Sequence, residues 1–203
     1  MFLPVRPLLV GLAVAFVVGA QVSPLAHWAD TRSFAAHMAQ HLLIGDLAPL
    51  ALAVAFVGAA RGPLLSPAIT FPLWLANLAL WHVPVVYEAA LHHIGLHTIQ
   101  HVALFAGGLL LWAPVFELVR TPRWFGDAAR LVYLLLMMFS GVVLGALFLW
   151  WPHVVYSTYA HIGDQRAGGG LMLLEGTLVT FAVAGWIVWR LFTRVEPAAS
   201  PSP

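Results

Sequence analysis

The stretch LVYLLLMMFSGVVLGALFLWW, residues 131–151, decides the fold class because it runs on without a single charged side chain. About 20 residues at a rise of 1.5 Å each cross the hydrocarbon core of a bilayer. Other apolar stretches of similar length precede and follow it, and together they predict about six membrane-spanning helices. These cover residues 2–20, 34–59, 67–90, 96–119, 131–151 and 169–192.

The composition agrees with a protein whose natural solvent is lipid. Of the 203 residues, 62% are hydrophobic and 8% are charged, whereas a soluble domain carries about a quarter charged residues. The formal net charge of +1 argues against nucleic-acid binding, which requires a basic surface. The absence of cysteine excludes disulfides, thiolate metal sites and cysteine nucleophiles. Any metal is therefore held by histidine, methionine, carboxylate or backbone groups.

The organisation is that of an all-α polytopic membrane helix bundle with one domain. We expect this domain to cover residues 1–195 and to be followed by a disordered tail at 196–203, rich in proline, serine and alanine. Pro84 predicts a kink in the third span, because proline removes a backbone donor and clashes with the preceding turn. Residues 1–20 are interpreted as a retained helix, with a cleaved signal peptide as the alternative.

The arginines predict the orientation, since positive side chains are enriched in cytoplasmic loops. Only Arg32 and Arg166 fall in the odd-numbered loops. The others fall at the amino terminus, in the even-numbered loops or at the carboxyl terminus, namely Arg6, Arg61, Arg120, Arg123, Arg130, Arg190 and Arg194. Both termini are therefore predicted to be cytoplasmic.

All ten histidines fall on the outer half of this topology. His37 with His41 and His97 with His101 are i,i+4 pairs, and each such pair lies on one helix face, one turn apart. Two imidazoles so placed chelate one metal ion, and two facing pairs supply four nitrogens. His82, in the outer part of the third span, is a fifth or transfer ligand. His93 would extend the second pair by another turn if the fourth span begins early. The other four histidines are interpreted mainly as interfacial side chains.

Three acidic residues within or near the spans are candidates for orienting these ligands, namely Asp46, Asp164 and Glu175. Asp46 lies five residues beyond His41, which is about 140° round a regular α-helix. Asp46 is therefore predicted to lie off the helix face that carries His37 and His41, unless Pro49, at membrane depth in the same span, distorts the turn.

Other intramembrane residues are assigned mainly to packing. Met38 and Met172 lie at a depth similar to that of the histidines and are soft donors for cuprous ion, although methionine in a membrane helix is usually a packing residue. Gly141 and Gly145 form a GxxxG pattern that predicts close contact with another helix.

Four segments carry a resemblance to a known family. Residues 37–43 read HMAQHLL and precede APL, residues 81–90 read WHVPVVYEAA, and residues 96–101 read LHTIQH. Residues 164–172 read DQRAGGGLM. In this order they resemble the HMxQHLLL…AP, WHLPxLYxAA, LHxxEH and DQxxGGxxM segments of the multi-helix CtaG-type cytochrome c oxidase assembly factors. Gln100 departs from the pattern, since it stands where the family has an acid.

The resemblance implies a bacterial inner-membrane protein that helps to mature a caa-type oxidase by handling copper, without being an enzyme. Its implied partners are the lipid bilayer, the oxidase subunits and a copper donor protein. We therefore expect copper to bind near the outer membrane face. The expected ligands are His37, His41, His97, His101 and His82.

Two other functions use the same histidines. A b-type membrane cytochrome would hold haem between one histidine of the second span and one of the fourth. An intramembrane zinc-dependent hydrolase would hold zinc on these imidazoles, with Asp46 or Glu175 as general base, although the sequence has no HExxH motif.

Overall fold

A computed structural model of the protein describes residues 5–58 and 64–195, and within these ranges it is helical and contains no strand. The helices are α1 (Val5–Val22), α2 (Pro24–Thr31), α3 (Phe34–Leu42), α4 (Ala48–Ala55), α5 (Pro67–His82), α6 (Pro84–His92), α7 (Ile94–Val115), α8 (Asp127–Trp150) and α9 (Ile162–Val195). Five continuous segments are long and apolar enough to cross a membrane, or six if α5 and α6 form one span. The predicted all-α membrane bundle is confirmed. Arg61 and the predicted tail at 196–203 lie outside the described residues.

The third span is broken at the predicted proline. α5 ends at His82, α6 begins at Pro84, and the two helices are bent by 69°. Val83 between them has an extended backbone, with φ −65° and ψ 126°. The proline ring disfavours helical geometry at the residue before it, so the break falls there. The predicted kink is confirmed.

The second span runs from Phe34 to Ala55 and contains a π-helical turn at Leu43–Leu47. The Ala48 N–H donates to the carbonyl of Leu43, five residues earlier. Pro49 has no N–H to donate to Gly45, which favours this wider turn. Because a π turn contains more residues than an α turn, each residue rotates less about the helix axis, and the offset of about 140° expected between His41 and Asp46 in a regular helix is reduced.

Glycines mark the closest helix contacts. A Cβ at Gly108 would lie 2.1 Å from the carbonyl oxygen of Gly45, so α7 crosses the second span with no room for a side chain there. Gly145 of α8 and Gly169 of α9 approach each other in the same way, with the Gly169 Cβ position 2.6 Å from the Gly145 oxygen. Gly141 has open space, so the contact predicted from the GxxxG pattern forms at Gly145 alone.

The two largest differences from the predicted elements are an additional helix, α2, and the start of α9. α2 lies in the predicted first loop, where Ser23 accepts a hydrogen bond from the Leu25 N–H at 3.2 Å and Pro24 begins the helix. α9 begins at Ile162, whereas the sequence predicts a start at residue 169. The first turns of this helix are polar, so apolar length did not reveal them. Apolar length predicts the membrane spans but not the helical turns that extend beyond the hydrocarbon core of the bilayer.

An ion-pair network lies at the end of the bundle opposite the histidines. Glu117 accepts hydrogen bonds from Arg130 at 2.8 Å and Arg190 at 2.9 Å, and Asp127 accepts one from Arg130 at 2.8 Å. Partial burial acts to raise the pKa of Glu117, but the hydrogen bonds and charges of the two arginines outweigh it and lower the pKa below its usual value. The network ties α8 and α9 to the segment after α7.

Candidate metal centre

The two predicted histidine pairs meet where α3 and α7 begin. Ring centroids within each pair are 4.2 Å apart. Between the helices, His37 lies 5.6 Å from His97, and His41 lies 5.6 Å from His101, again between centroids. The pairs therefore face each other in register, with an upper tier of His37 and His97 and a lower tier of His41 and His101.

Several nitrogens of these rings are left for a ligand. The Nε2 atoms of His37 and His41 are 2.8 Å apart. The Nε2 atoms of His97 and His101 are buried and have no hydrogen-bond partner, and the same is true of His41 Nδ1. A buried polar atom without a partner costs about 1–3 kcal/mol. A cation bound by these nitrogens would remove that cost, so the donor set fits a metal ion.

Asp30 joins the upper tier, and sequence reasoning missed it. One ligand atom from each of Asp30, His37 and His97 lies within 4.8 Å of the other two, the one such group found among the described residues. Asp30 Oδ1 is 3.7 Å from His97 Nε2. Burial raises the pKa of Asp30, while the nearby His97 and His27 act in the opposite direction. The four predicted histidines do not form so tight a group by themselves.

His82 lies beside the lower tier, with its ring centroid 6.2 Å from that of His41. Its Nδ1 pairs with the carbonyl of Leu78 at 2.7 Å, which leaves Nε2 buried and without a partner. A histidine with one nitrogen held by a carbonyl presents the other in a defined direction, as metal-ligating histidines do. This geometry suits the predicted role of His82 as an additional ligand.

A tyrosine from the loop between α8 and α9 orients His37. Tyr159 Oη lies 3.2 Å from His37 Nδ1 and donates to the Ala29 carbonyl at 2.6 Å. Tyr87 in turn donates to the Tyr159 hydroxyl at 3.2 Å. These contacts hold the imidazole by Nδ1 and leave Nε2 directed at the other histidines. Nothing in the local sequence pairs Tyr159 with His37, so sequence reasoning missed this contact.

Asp46 and Glu175 line a cavity of about 100 Å³ next to the lower tier, which His41 and His82 also line. Asp46 accepts a hydrogen bond from Trp112 Nε1 at 2.6 Å and shares a second one with Glu175. Both carboxyl groups therefore face the same space as the lower histidines, although neither is hydrogen-bonded to an imidazole.

The family model described as cytochrome c oxidase caa3 assembly factor (Caa3_CtaG) matches residues 4–194. The chain belongs to this family. The match includes both histidine pairs, Asp30, Tyr159 and the cavity, so the resemblance predicted from four short segments extends over nearly the whole chain. Membership in a family of oxidase assembly factors implies contact with the oxidase and with membrane lipid. No curated protein and no solved structure matches the chain.

Asp164 contacts the helix that carries the first histidine pair. Its carboxylate accepts hydrogen bonds from the Ser33 hydroxyl at 2.7 Å and from the backbone N–H groups of Phe34 and Ala35. It thus caps the amino end of α3, where unpaired N–H groups and the helix dipole favour an anion. Its hydrogen bonds found among the described residues go to this helix end and not to an imidazole, so any effect of Asp164 on the ligands is exerted through the position of α3.

Gln100 stands where the resemblance implies an acid. Its side chain is fully buried, and its amide oxygen and nitrogen have no hydrogen-bond partner. The Nε2 atom of the next residue, His101, is also without one.

The remaining histidines are exposed and do not join the cluster. His92 lies 3.9 Å from Glu88, and the ring contacts found among the described residues place none of this group against the cluster. Their exposure agrees with the interpretation as interfacial side chains. They are His27, His92, His93, His153 and His161.

Proposed function

We propose that this assembly factor binds copper as cargo at the histidine cluster and passes it to a caa-type oxidase during assembly. Two observations carry the proposal. Asp30, His37 and His97 each offer one ligand atom within 4.8 Å of the other two, and four buried atoms of the cluster have no hydrogen-bond partner, namely Asp30 Oδ1, His41 Nδ1, His97 Nε2 and His101 Nε2. Imidazole is a good ligand for copper, and affinity among first-row divalent ions peaks there. Family membership supplies the connection to the oxidase.

The ligand chemistry suits release as well as capture. The chain contains no thiolate, so its hold on copper is weaker than that of a cysteine-based chaperone. The upper tier takes up the ion together with Asp30, and His82 adds a ligand to the lower tier. Two adjacent tiers allow an ion to exchange ligands one at a time rather than lose all of them together.

The location of the site follows from the arginine distribution. The orientation predicted from it places the cluster at the outer face of a bacterial inner membrane. A copper donor protein in the periplasm would then reach the upper tier, and the oxidase subunits would receive the ion on the same side. The reaction involves ligand exchange only, so no enzymatic activity is proposed.

The test is copper binding by the purified protein in lipid nanodiscs, measured by equilibrium dialysis and elemental analysis. We expect wild type to bind copper and the His37→Ala/His97→Ala variant to lose affinity at least about tenfold. Loss of a residue that only orients a ligand already costs about that much, and loss of the ligand itself should cost more. His92→Ala/His93→Ala is the matched control, because both of its histidines are exposed and outside the cluster. It should bind as wild type does.

Four results would count against the proposal. Wild type that binds no copper, or a cluster variant that binds as tightly as the control, removes its basis. A Soret band that disappears with His41 or His101 favours the cytochrome. Zinc-dependent turnover of a lipid or amide substrate favours the hydrolase.

Copper affinity should also fall on acidification, because only neutral imidazole binds metal.

A further inference from the structure

Every methionine of the chain except Met1 lines one cavity next to the histidine cluster. Met38 comes from α3, Met137 and Met138 from α8, and Met172 from α9. Three separate helices thus contribute methionine side chains to the lining of a space of about 100 Å³. That space is large enough for a bare ion, since a single water needs only about 10–15 Å³.

Buried polar atoms in the cavity lack partners. Glu175 Oε1 and His82 Nε2 are buried and have no hydrogen-bond partner, although both side chains line the cavity. His82 is only 8% exposed. A cavity formed for packing alone would leave these atoms at a cost of about 1–3 kcal/mol each. Their presence points to a bound ligand that accepts electron pairs.

Two carboxyl groups in the cavity can supply negative charge to a bound cation. Asp46 and Glu175 are hydrogen-bonded to each other, and a hydrogen bond between two carboxyl groups requires at least one proton. The pair can therefore carry no more than one negative charge while this bond is kept, which matches a monovalent cation better than a divalent one. No arginine is among the described residues that line the cavity. Carboxyl groups at membrane depth without a basic partner are costly and mark a functional site.

We propose that this cavity is a second metal site, separate from the histidine cluster, and that it takes a soft monovalent cation such as cuprous ion. Methionine thioethers are the ligands that select cuprous copper, whereas imidazole and carboxylate in the upper tier suit the cupric ion. His41 lines the cavity and belongs to the lower tier, so it connects the two sites. The inference goes beyond the proposed function and does not require it, because the methionines and Glu175 are not among the ligands proposed for the cluster, although His41 and His82 line the cavity as well.

The test uses silver ion, which resembles cuprous ion in charge and softness and does not change oxidation state. Selenomethionine-labelled protein in nanodiscs is loaded with silver, and X-ray absorption at the selenium edge is recorded. We expect a silver–selenium scattering contribution in the wild-type protein. This measurement needs no substitution, so it stands even if a variant fails to fold. Silver bound with nitrogen or oxygen neighbours alone would overturn the proposal.

Variants then separate this site from the cluster. Met38→Leu/Met172→Leu conserves side-chain volume and should lower silver affinity at least about tenfold. Glu175→Gln keeps the shape but removes the carboxylate, and it should also weaken silver binding. His37→Ala/His97→Ala, in the upper tier, should keep silver affinity within twofold of wild type. Equal loss in all three variants would contradict a separate site.

The two proposals fail independently. If wild type binds no copper at the cluster but shows silver–selenium scattering, the copper-delivery function is wrong and the methionine site stands. If copper binds at the cluster and silver contacts no selenium, the methionines only pack.

Discussion

Tyr159 illustrates how single side chains outside the ligand set shape the site. Its hydroxyl contacts both His37 Nδ1 and the Ala29 carbonyl, and Tyr87 donates to it from the other side. A metal-ligating histidine is normally oriented in this way through its second nitrogen. Because Ala29 precedes Asp30, the same hydroxyl also holds the segment that brings the carboxylate to the upper tier.

Tyr159→Phe removes this hydroxyl and keeps the ring. We expect copper affinity to fall about tenfold to a hundredfold, the usual effect of losing a contact that orients a metal ligand. The unfolding free energy should also fall by about 1–3 kcal/mol, because buried partners of the hydroxyl lose their hydrogen bonds. Tyr133→Phe is the control, since its hydroxyl contacts Thr70 and the Leu111 carbonyl far from the cluster. Equal affinity in wild type and both variants would show that Tyr159 does not orient His37 for metal binding.

At the scale of elements, the crossing of α7 with the second span decides how deep the histidine pairs lie relative to each other. Gly108 lies against the Gly45 carbonyl, within the π turn that begins after α3. This contact holds the two helices close together at a point that lies at least one helical turn from the lower tier. The 5.6 Å separations between facing imidazoles depend on that approach.

Gly108→Ala tests this crossing. The added methyl group would lie 2.1 Å from a backbone oxygen, so the helices must separate, and we expect a loss of about 1–3 kcal/mol in unfolding free energy. Gly11→Ala is the matched control, because no atom lies within 4 Å of its Cβ position. It should be neutral or stabilising by about 0.5–1 kcal/mol, since alanine favours helix. The comparison is made by chemical denaturation in detergent.

At the scale of the whole molecule, the surface of the bundle is apolar along its spans. Large side chains such as Phe139, Phe181 and Trp189 are at least 64% exposed. In water such a surface would aggregate, whereas in a bilayer it contacts lipid. The histidine cluster and the arginine network lie at opposite ends of this apolar surface, so the two ends face different compartments.

The absence of cysteine makes the orientation directly testable. We expect His161→Cys, in the exposed loop after α8, to react with a membrane-impermeant thiol reagent added outside intact cells. Arg123→Cys, in the exposed segment before α8, should react only after the membrane is permeabilised. The reverse pattern would place the cluster in the cytoplasm and contradict delivery to the outer side.

Local sequence was enough for the spans, the break at Pro84 and the two histidine pairs. Each of these follows from apolar length, from the chemistry of one proline or from spacing within one helix, and none needs a partner distant in the chain. Helix ends were predicted less well, because α2 and the first turns of α9 are polar helices that apolar length does not reveal.

Only the tertiary structure decided which polar groups meet. Asp164 bonds to Phe34 across 130 positions of the chain, and Tyr159 reaches Ala29 across the same distance. Asp30 joins His37 and His97 because a short helix folds back over the ends of α3 and α7. The π turn before Pro49 brings Asp46 to the cavity of His41. Such contacts depend on how the helices pack, and this packing cannot be predicted from the residues that neighbour each group in the chain.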